Sequence, residues 1–340
     1  MPAGARAGLE QRLIRAWAGR GPLACALWPL SQLYRALLAL RHALYRWQAL
    51  KTERLPVPVV VVGNVIAGGA GKTPTTLAVV AHLQARGWRP GIVSRGHGRA
   101  TTDVREVTAD ADPSAVGDEP LLLRRRAQVP VAVGRQRAAA GQALLAAHPE
   151  VDVLVCDDGL QHLALARDIE IAVFDARGIG NGWLLPAGPL REAWPRPVDA
   201  VLWTEAPVAQ RPAGFAARRR LAEHARRADG VAVPLAALQS TPLAAVAGIA
   251  RPEAFFALLR QAGLTLAKTV ALPDHYDFNS LSRLPNKGCT LICTEKDAAK
   301  LWRHRPDALA VPLELEVPAA FFAMLDERLA ARGYHPLKPA

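Results

Sequence analysis

The sequence predicts an α/β protein: a nucleotide-binding α/β unit, a smaller α/β unit after it, and a helical segment ahead of both. Three observations carry this expectation. From residue 58 onward, short β-branched runs that end in glycine or acid alternate with stretches compatible with helix. The stretch from Pro58 to Ala78, PVVVVGNVIAGGAGKTPTTLA, joins one such run to a glycine turn and a helix start. Residues 9–50 differ from everything that follows, being rich in Leu, Trp and Arg with no acid between Gln11 and Leu50. The expected divisions are 1–50 as a membrane-associating helical segment, 51–205 as the nucleotide-binding domain and 206–340 as the C-terminal α/β domain.

At 340 residues the chain is long enough for two domains, each with its own core. Its 51% hydrophobic content argues against disorder. The net charge of +12, carried mostly by Arg, suits an acidic partner: nucleic acid, an anionic membrane surface or a phosphorylated substrate. Arg- and Ala-favouring codon usage accounts for part of that balance. No aromatic-interleaved basic strand or recognition-helix pattern is present, so nucleic acid is not expected as a partner. Cys25, Cys156, Cys289 and Cys293 are scattered through apolar stretches with no zinc spacing, which predicts buried, reduced thiols. Arg and Glu interrupt the first twenty residues, so no cleavable signal peptide is expected.

Within residues 9–50, Leu13, Ile14, Trp17, Leu23, Trp28, Leu33, Leu37, Leu40, Leu44 and Trp47 alternate with Arg12, Arg15, Arg20, Arg35, Arg41 and Arg46. There is no run of about eighteen uncharged apolar residues, which argues against a spanning helix. Broad apolar faces with only basic charge suit a helix lying at a membrane interface. A helix packed on its own domain fits the same pattern.

Val59–Val62 is a β-branched run bounded by Gly63, too short for a helix, and reads as a buried strand. Gly68, Gly69, Ala70 and Gly71 then form a turn before Lys72 and Thr73, and Pro74 falls in the first turn of the helix that starts there. Such a loop lets backbone N–H groups close on phosphate, with the helix N-terminus favouring negative charge. Lys72 would reach the β/γ-phosphates and Thr73 would offer its hydroxyl to Mg²⁺. The loop departs from G-x-x-x-x-G-K-[ST], because Ile66 stands where its first glycine belongs. It fits the variant G-G-x-G-K-[ST], although Ala67 replaces the lysine usual before that core. An ordinary glycine turn is the competing explanation, and the strand before and helix after disfavour it. The unit is therefore expected to be P-loop NTPase-like.

Gly91–Ser94 makes a second strand, leading into the basic turn Arg95-Gly96-His97-Gly98-Arg99 at the strand end where α/β sheets bind ligands. Gly117-Asp118-Glu119-Pro120 precedes a helix over residues 121–127, where adjacent acids also complement the helix dipole. A strand over 129–133 ends in Gly134-Arg135-Gln136-Arg137. The strand Val153–Cys156 ends in Asp157 and Asp158, the acids that a nucleotide site uses to hold Mg²⁺ directly or through water. Strands are expected at 171–174 and 198–203, with a rigid turn over 186–192 between them. Residues 206–230 carry no legible chemistry. In the second unit, strands are expected at 244–247, 290–293 and 310–315, with helices from Pro252 to Leu259 and up to Trp302.

Taken in order, GNVIAGGAGKTP, SRGHGR, VGDEP, VCDDGLQH, LLPAGPLRE, AGIARPEAFF, PDHYDF and CTEKDAAK closely resemble the tetraacyldisaccharide 4′-kinase family, the lipid A 4′-kinases of Gram-negative bacteria. The resemblance runs from about Arg12 to about Val317. It implies two α/β/α units with the active site in the cleft between them, and ATP and Mg²⁺ as cofactors. It also implies a lipid disaccharide 1-phosphate as acceptor and a location on the cytoplasmic face of the inner membrane. Carried over by position, Asp118 matches the proposed catalytic base and His275 its partner, with Lys72 and Thr73 at the phosphates and Mg²⁺. Asp157 and Asp158 match the metal acids. Gln161, Arg191 and Glu192 match further active-site positions, and Asn64, Arg95, Glu119 and His162 fall in the same motifs. Arg135, in the basic turn after the strand over 129–133, is also expected at the site. His97 stands where the family usually has Tyr.

A membrane-surface P-loop ATPase switch, with no small-molecule acceptor, is the alternative that these residues leave open. A GTPase fits less well: in Thr294-Glu295-Lys296-Asp297 the lysine is one place too late for N-K-x-D.

Overall fold

The computed structural model describes residues 13–205, 213–249, 251–274, 276–278 and 288–336. The chain enters through helix α1 (Pro22–Arg46), whose only fully buried residues are Ala24 and Ser31. The first unit then contributes β1 (Val59–Gly63), α2 (Lys72–Ala85), β2 (Pro90–Ser94) and β3 (Arg105–Glu106). A single helical turn, Pro113–Val116, leads into α3 (Asp118–Ala127), β4 (Val131–Val133) and α4 (Arg137–Ala147). β5 (Val153–Asp157), β6 (Ile169–Phe174), β7 (Ala200–Trp203) and β8 (Phe215–Ala216) complete an eight-stranded sheet of order β3-β4-β2-β5-β1-β6-β7-β8. All its pairs are parallel except β3 on β4.

β1 shows why this sheet forms. Its five residues are buried on both faces, as a central parallel strand requires. Alternation sends Val60 and Val62 into one core, with α2, α3 and the C-terminal helix, and Val59 and Val61 into the other, with α4, Leu160 and Leu190.

β9 (Arg218–Leu221) leaves the first unit. β10 (His224–Arg226), β11 (Ala232–Pro234), β12 (Leu243–Ala247), α5 (Pro252–Gln261), β13 (Leu266–Ala271), β14 (Thr290–Thr294), α6 (Glu295–Leu301) and β15 (Leu309–Val311) build the second. Its six-stranded sheet has the order β11-β10-β15-β14-β12-β13. One face is covered by Phe255, Phe256 and Leu259 of α5, the other by Leu301 and Phe278. The chain returns through β16 (Leu313–Glu316), antiparallel to β9, with Arg220 paired to Glu314 across the ribbon at 2.9 Å. Helix α7 (Ala319–Ala331) ends the described chain.

Several details differ from expectation. β8 extends the first sheet beyond residue 205, and α7 buries Phe321, Leu325 and Leu329 against that same sheet. Residues 213–217 and 319–331 therefore pack with the first unit, not the second. The strand expected over 310–315 is two strands, β15 and β16, broken at Pro312, which has no N–H to continue a ladder. Of the four cysteines expected to be buried, Cys156 and Cys293 are, Cys289 is intermediate and Cys25 is exposed on α1.

α1 rests one side on the loop at 181–191. Ser31 Oγ donates to Leu184 O at 2.8 Å and accepts from Ala187 N at 2.9 Å, and Tyr34 OH donates to Arg191 O at 2.8 Å. Its other side leaves Leu30, Leu33, Leu37 and Leu40 exposed by 52–57%. With Pro29 accommodated inside it, the helix runs 25 residues and is long and apolar enough to cross a membrane by length and composition alone.

Candidate active site

The glycine loop connects β1 to α2. Gly68 and Gly71 have φ of +89° and +90°, left-handed values that only glycine adopts without strain. With Gly71 as the residue before its first turn, α2 presents unpaired N–H groups at Lys72 and Thr73. Asn64, fully buried beneath the loop, donates from Nδ2 to Gly68 O at 3.0 Å and accepts from Lys72 Nζ at 3.3 Å. Gln161 Nε2 donates to Asn64 O at 3.0 Å and to Glu192 Oε1 at 2.6 Å, so Gln161 and Glu192 support Asn64 from behind.

The two acids sit beside this loop with different protonation behaviour. Asp157, the last residue of β5, is buried and accepts from Thr76 Oγ1 at 3.0 Å and Ser94 Oγ at 3.3 Å. Burial, then repulsion from Glu119 and Asp158, pushes its carboxyl up to about 7 against the pull of Lys72. Burial also raises Asp158, but Lys72 and Arg191 outweigh it and hold that carboxyl below the usual range. Asp158 Oδ1 lies 2.9 Å from Arg191 Nη1 and 3.8 Å from Lys72 Nζ. Arg191 Nη1 also reaches Asn64 Oδ1 at 3.2 Å.

These groups line one end of a cleft of about 1400 Å³ between the two units. Gly68, Gly69, Gly71, Lys72, Thr73, Arg95, His97, Glu119, Asp157, Asp158 and Arg191 form the first unit's wall. Ile249, Phe255, Leu258, Asp274, Glu295 and Lys296 face them from the second. The side chain of Ala70 is buried in the core, so its backbone is what it offers the loop.

Other expected site residues are placed elsewhere. Arg135 is exposed and does not line the cleft. His162 accepts from the Arg137 N–H at Nε2 (3.2 Å), at the start of α4. Burial, then the arginines around it, push its imidazole down to about 4, so it is neutral there and supports a helix start. Asp118, nine-tenths buried as the first residue of α3, accepts from Lys300 Nζ of α6 at 2.7 Å. His275 lies outside the described residues. Its neighbour Asp274 accepts from Lys296 Nζ at 3.1 Å on the cleft wall. Lys300, Lys296, Thr76 and Ser94 were not singled out from sequence. Both lysines lie within CTEKDAAK, the one signal that pointed to them.

Fold and site together define a P-loop nucleotide-binding protein of two α/β units, with a lysine and two acids beside the loop. Residues 23–330 match the model of the tetraacyldisaccharide-1-P 4′-kinase family, LpxK. The tetraacyldisaccharide 4′-kinase of Acidovorax sp. (strain JS42) is 63% identical over 323 residues, 95% of this chain and 96% of that one. That of Delftia acidovorans is 56% identical over 333 residues, covering 97% and 98%. Among solved structures, LpxK from Aquifex aeolicus in complex with ATP matches with a TM-score of 0.76 at 28% identity, over 90% of this chain and 99% of that one. The chain belongs to the tetraacyldisaccharide-1-phosphate 4′-kinase family.

Proposed function

We propose that this chain is an ATP-dependent lipid kinase. It transfers the γ-phosphoryl group of ATP to the 4′-hydroxyl of a tetraacylated glucosamine disaccharide 1-phosphate, giving lipid IVA. The observation that carries this reading is the meeting of the glycine loop, Lys72 and the Asp157–Asp158 pair at one end of a cleft in a chain of this family.

Phosphoryl transfer asks a protein for positioning and charge neutralisation more than for covalent chemistry. The loop amides and the N-terminus of α2 bind the phosphates, and Lys72, held by Asn64 and Asp158, stands beside them as the neutralising cation. Among the described residues no three acids, histidines or cysteines gather into a metal cluster. The donors that fit a divalent cation are therefore two acids and a hydroxyl, completed by phosphate and water oxygens. The charges of Asp158 and Glu119 at Asp157, not offset by Lys72, favour a cation there. Thr73, Asp157 and Asp158 would hold Mg²⁺, which when bound neutralises charge on the phosphate oxygens. Arg191 orients both Asp158 and Asn64. By position in the family motif Asp118 is the base that would take the proton from the 4′-hydroxyl, with His275 as partner. Its carboxylate is held by Lys300 off the cleft wall, where Glu119 is the acid that lines the cleft, so the role requires the carboxylate to turn toward the acceptor. Exposed Arg95 and His97 line the cleft and present a basic rim to the anionic acceptor.

The leucine stripe on α1, with Arg35, Arg41 and Arg46 on the same helix, suits the anionic cytoplasmic face of the inner membrane, where the acyl chains of the acceptor remain. The test is ATP turnover by the full chain in mixed micelles, with and without the disaccharide acceptor, with the product analysed for a 4′-phosphate. Acceptor-dependent turnover that yields the bisphosphorylated lipid is expected. ATP hydrolysis that ignores the acceptor and leaves it unmodified would overturn the reading in favour of an ATPase switch.

A further inference from the structure

Every carbonyl of the glycine loop is tied. Gly68 O accepts from Asn64, and Gly71 O from the hydroxyl and amide of Thr75 at 2.9 and 3.2 Å. The other three are held from far along the chain. Arg177 donates from Nη1 to Ala67 O at 3.1 Å and from Nη2 to Gly69 O at 2.8 Å. Thr204 Oγ1 donates its proton to Ala70 O at 3.0 Å, with Phe174 O a longer alternative at 3.3 Å, and accepts from Arg219 Nη2 at 3.0 Å.

A trans peptide is planar, so its N–H points opposite to the preceding carbonyl. Tying the carbonyls of residues 67, 69 and 70 therefore turns the N–H groups of Gly68, Ala70 and Gly71 the other way. Those are amides that a phosphate loop presents to its ligand. Two acids, one wholly and one partly buried, hold the arginines in turn. Asp175, wholly buried, receives Arg177 Nε at 3.1 and 3.0 Å from its two oxygens. Glu205 receives Arg219 Nη1 at 2.6 Å on one oxygen and Arg251 Nη1 at 2.8 Å on the other. Arg251 comes from the second unit, just before α5, and also lies 3.7 Å from Asp175. The loop is packed tightly against this support: a Cβ at Gly71 would come within 2.9 Å of both Arg219 and Thr204.

We propose that Arg177 is a positioning residue for nucleotide phosphates: its fork across Ala67 O and Gly69 O, braced by Asp175, sets the amide orientation of the glycine loop. The inference rests on the reading of that loop as the phosphate site. It assigns Arg177 no contact with the nucleotide itself.

The experiment compares binding of ADP and AMP by calorimetry to the full-length protein, with stability of the nucleotide-free forms measured alongside. Arg177→Met keeps the side-chain stem and removes the fork. It is expected to weaken ADP by about tenfold or more, the scale of losing charge-assisted bonds that hold the loop. AMP, which places no phosphate beyond the α position, should bind as to the unaltered protein. Arg177→Lys keeps a charge for Asp175 without the planar fork, and should lose at least about threefold for ADP. It serves if Arg177→Met does not fold. Arg220→Gln removes a charge of the same sign from the β9–β16 ribbon, away from the cleft and from this network, and should keep the preference for ADP over AMP. Unchanged ADP affinity in the Arg177 variants would overturn the proposal. So would an equal loss in Arg220→Gln, since binding would then follow total charge and not loop geometry. If the unaltered protein bound ADP no better than AMP, the phosphate-loop reading itself would fall, and the inference with it.

Discussion

Asp157 makes a quantitative test of the metal site. Its carboxyl is pushed from an ordinary 3.8 up to about 7 in the folded protein, by burial first and then by the charges of Glu119 and Asp158. A carboxyl raised on folding favours the folded state while protonated. That contribution is complete below the unfolded pKa near 4 and is lost progressively as pH rises through about 7. Linkage over this window gives a penalty of about 2 kcal/mol at pH 5 and about 4 kcal/mol at pH 8. Asp157→Asn removes the titration and keeps the shape, at a cost of about 1 kcal/mol for one acceptor lost to Thr76 or Ser94. The stability difference between variant and parent should therefore move in the variant's favour by about 2–3 kcal/mol from pH 5 to pH 8 without Mg²⁺. Urea unfolding at both pH values, with and without Mg²⁺ and ADP, measures this. The parent should gain Mg²⁺-dependent stability at pH 8 and the variant should not, while phosphotransfer falls by at least about a hundredfold. A variant whose stability difference ignores pH and whose Mg²⁺ response matches the parent would refute the reasoning. Asp157 would then be a structural acid held by two hydroxyls.

Three further outcomes are expected. Lys72→Ala should keep its fold and lose kcat by about three orders of magnitude or more, and near-normal phosphotransfer by the folded variant would remove the phosphate-loop assignment. Asp118→Ala and His275→Ala should each cut kcat strongly with little change in KM for ATP, and the double variant should be no worse than the poorer single; fully multiplicative losses would mean the two act independently. Changing Arg35, Arg41 and Arg46 together to Gln should weaken binding to anionic vesicles by at most about 1 kcal/mol per charge, whereas binding that ignores charge and salt would leave α1 as a packing helix only.

The parts of this fold that are legible in sequence are those whose burial repeats locally. β1, β5 and β6 are buried over nearly every residue, so an apolar run is a faithful signature of a central parallel strand. The glycine loop is legible because its backbone demands glycine at Gly68 and Gly71. α7 was not legible. Phe321, Leu325 and Leu329 mark an amphipathic helix, but nothing local says that it returns to the first sheet instead of finishing the second. β9 is not legible, and β16 only as the tail of the strand expected over 310–315, for the opposite reason: they are short, half exposed and charged, and each is specified by its partner, with Arg220 facing Glu314. Arg177 and Thr204 belong to the same class, since their hydrogen bonds to the loop span more than a hundred residues of chain.

Asp118 and Glu119 show where residue type stops deciding chemistry. Both are acids in the first turn of α3, and the dipole of that turn favours a carboxylate at either position. Neighbours on a helix point about 100° apart, so only one of them can face the cleft squarely. Glu119 does, and its charge reaches Asp157 strongly enough to raise its proton affinity. Asp118 turns instead toward α6 and meets Lys300, a residue of the second unit. The carboxylate of Asp118 is therefore joined to the second unit through Lys300 of α6. Arg126 and Glu295 join the same two helices at 2.5 Å, so this contact is held at two points. The two units are thus joined beside Asp118 through α6, a helix whose sequence announces its start at Thr294 but not what its far end will touch.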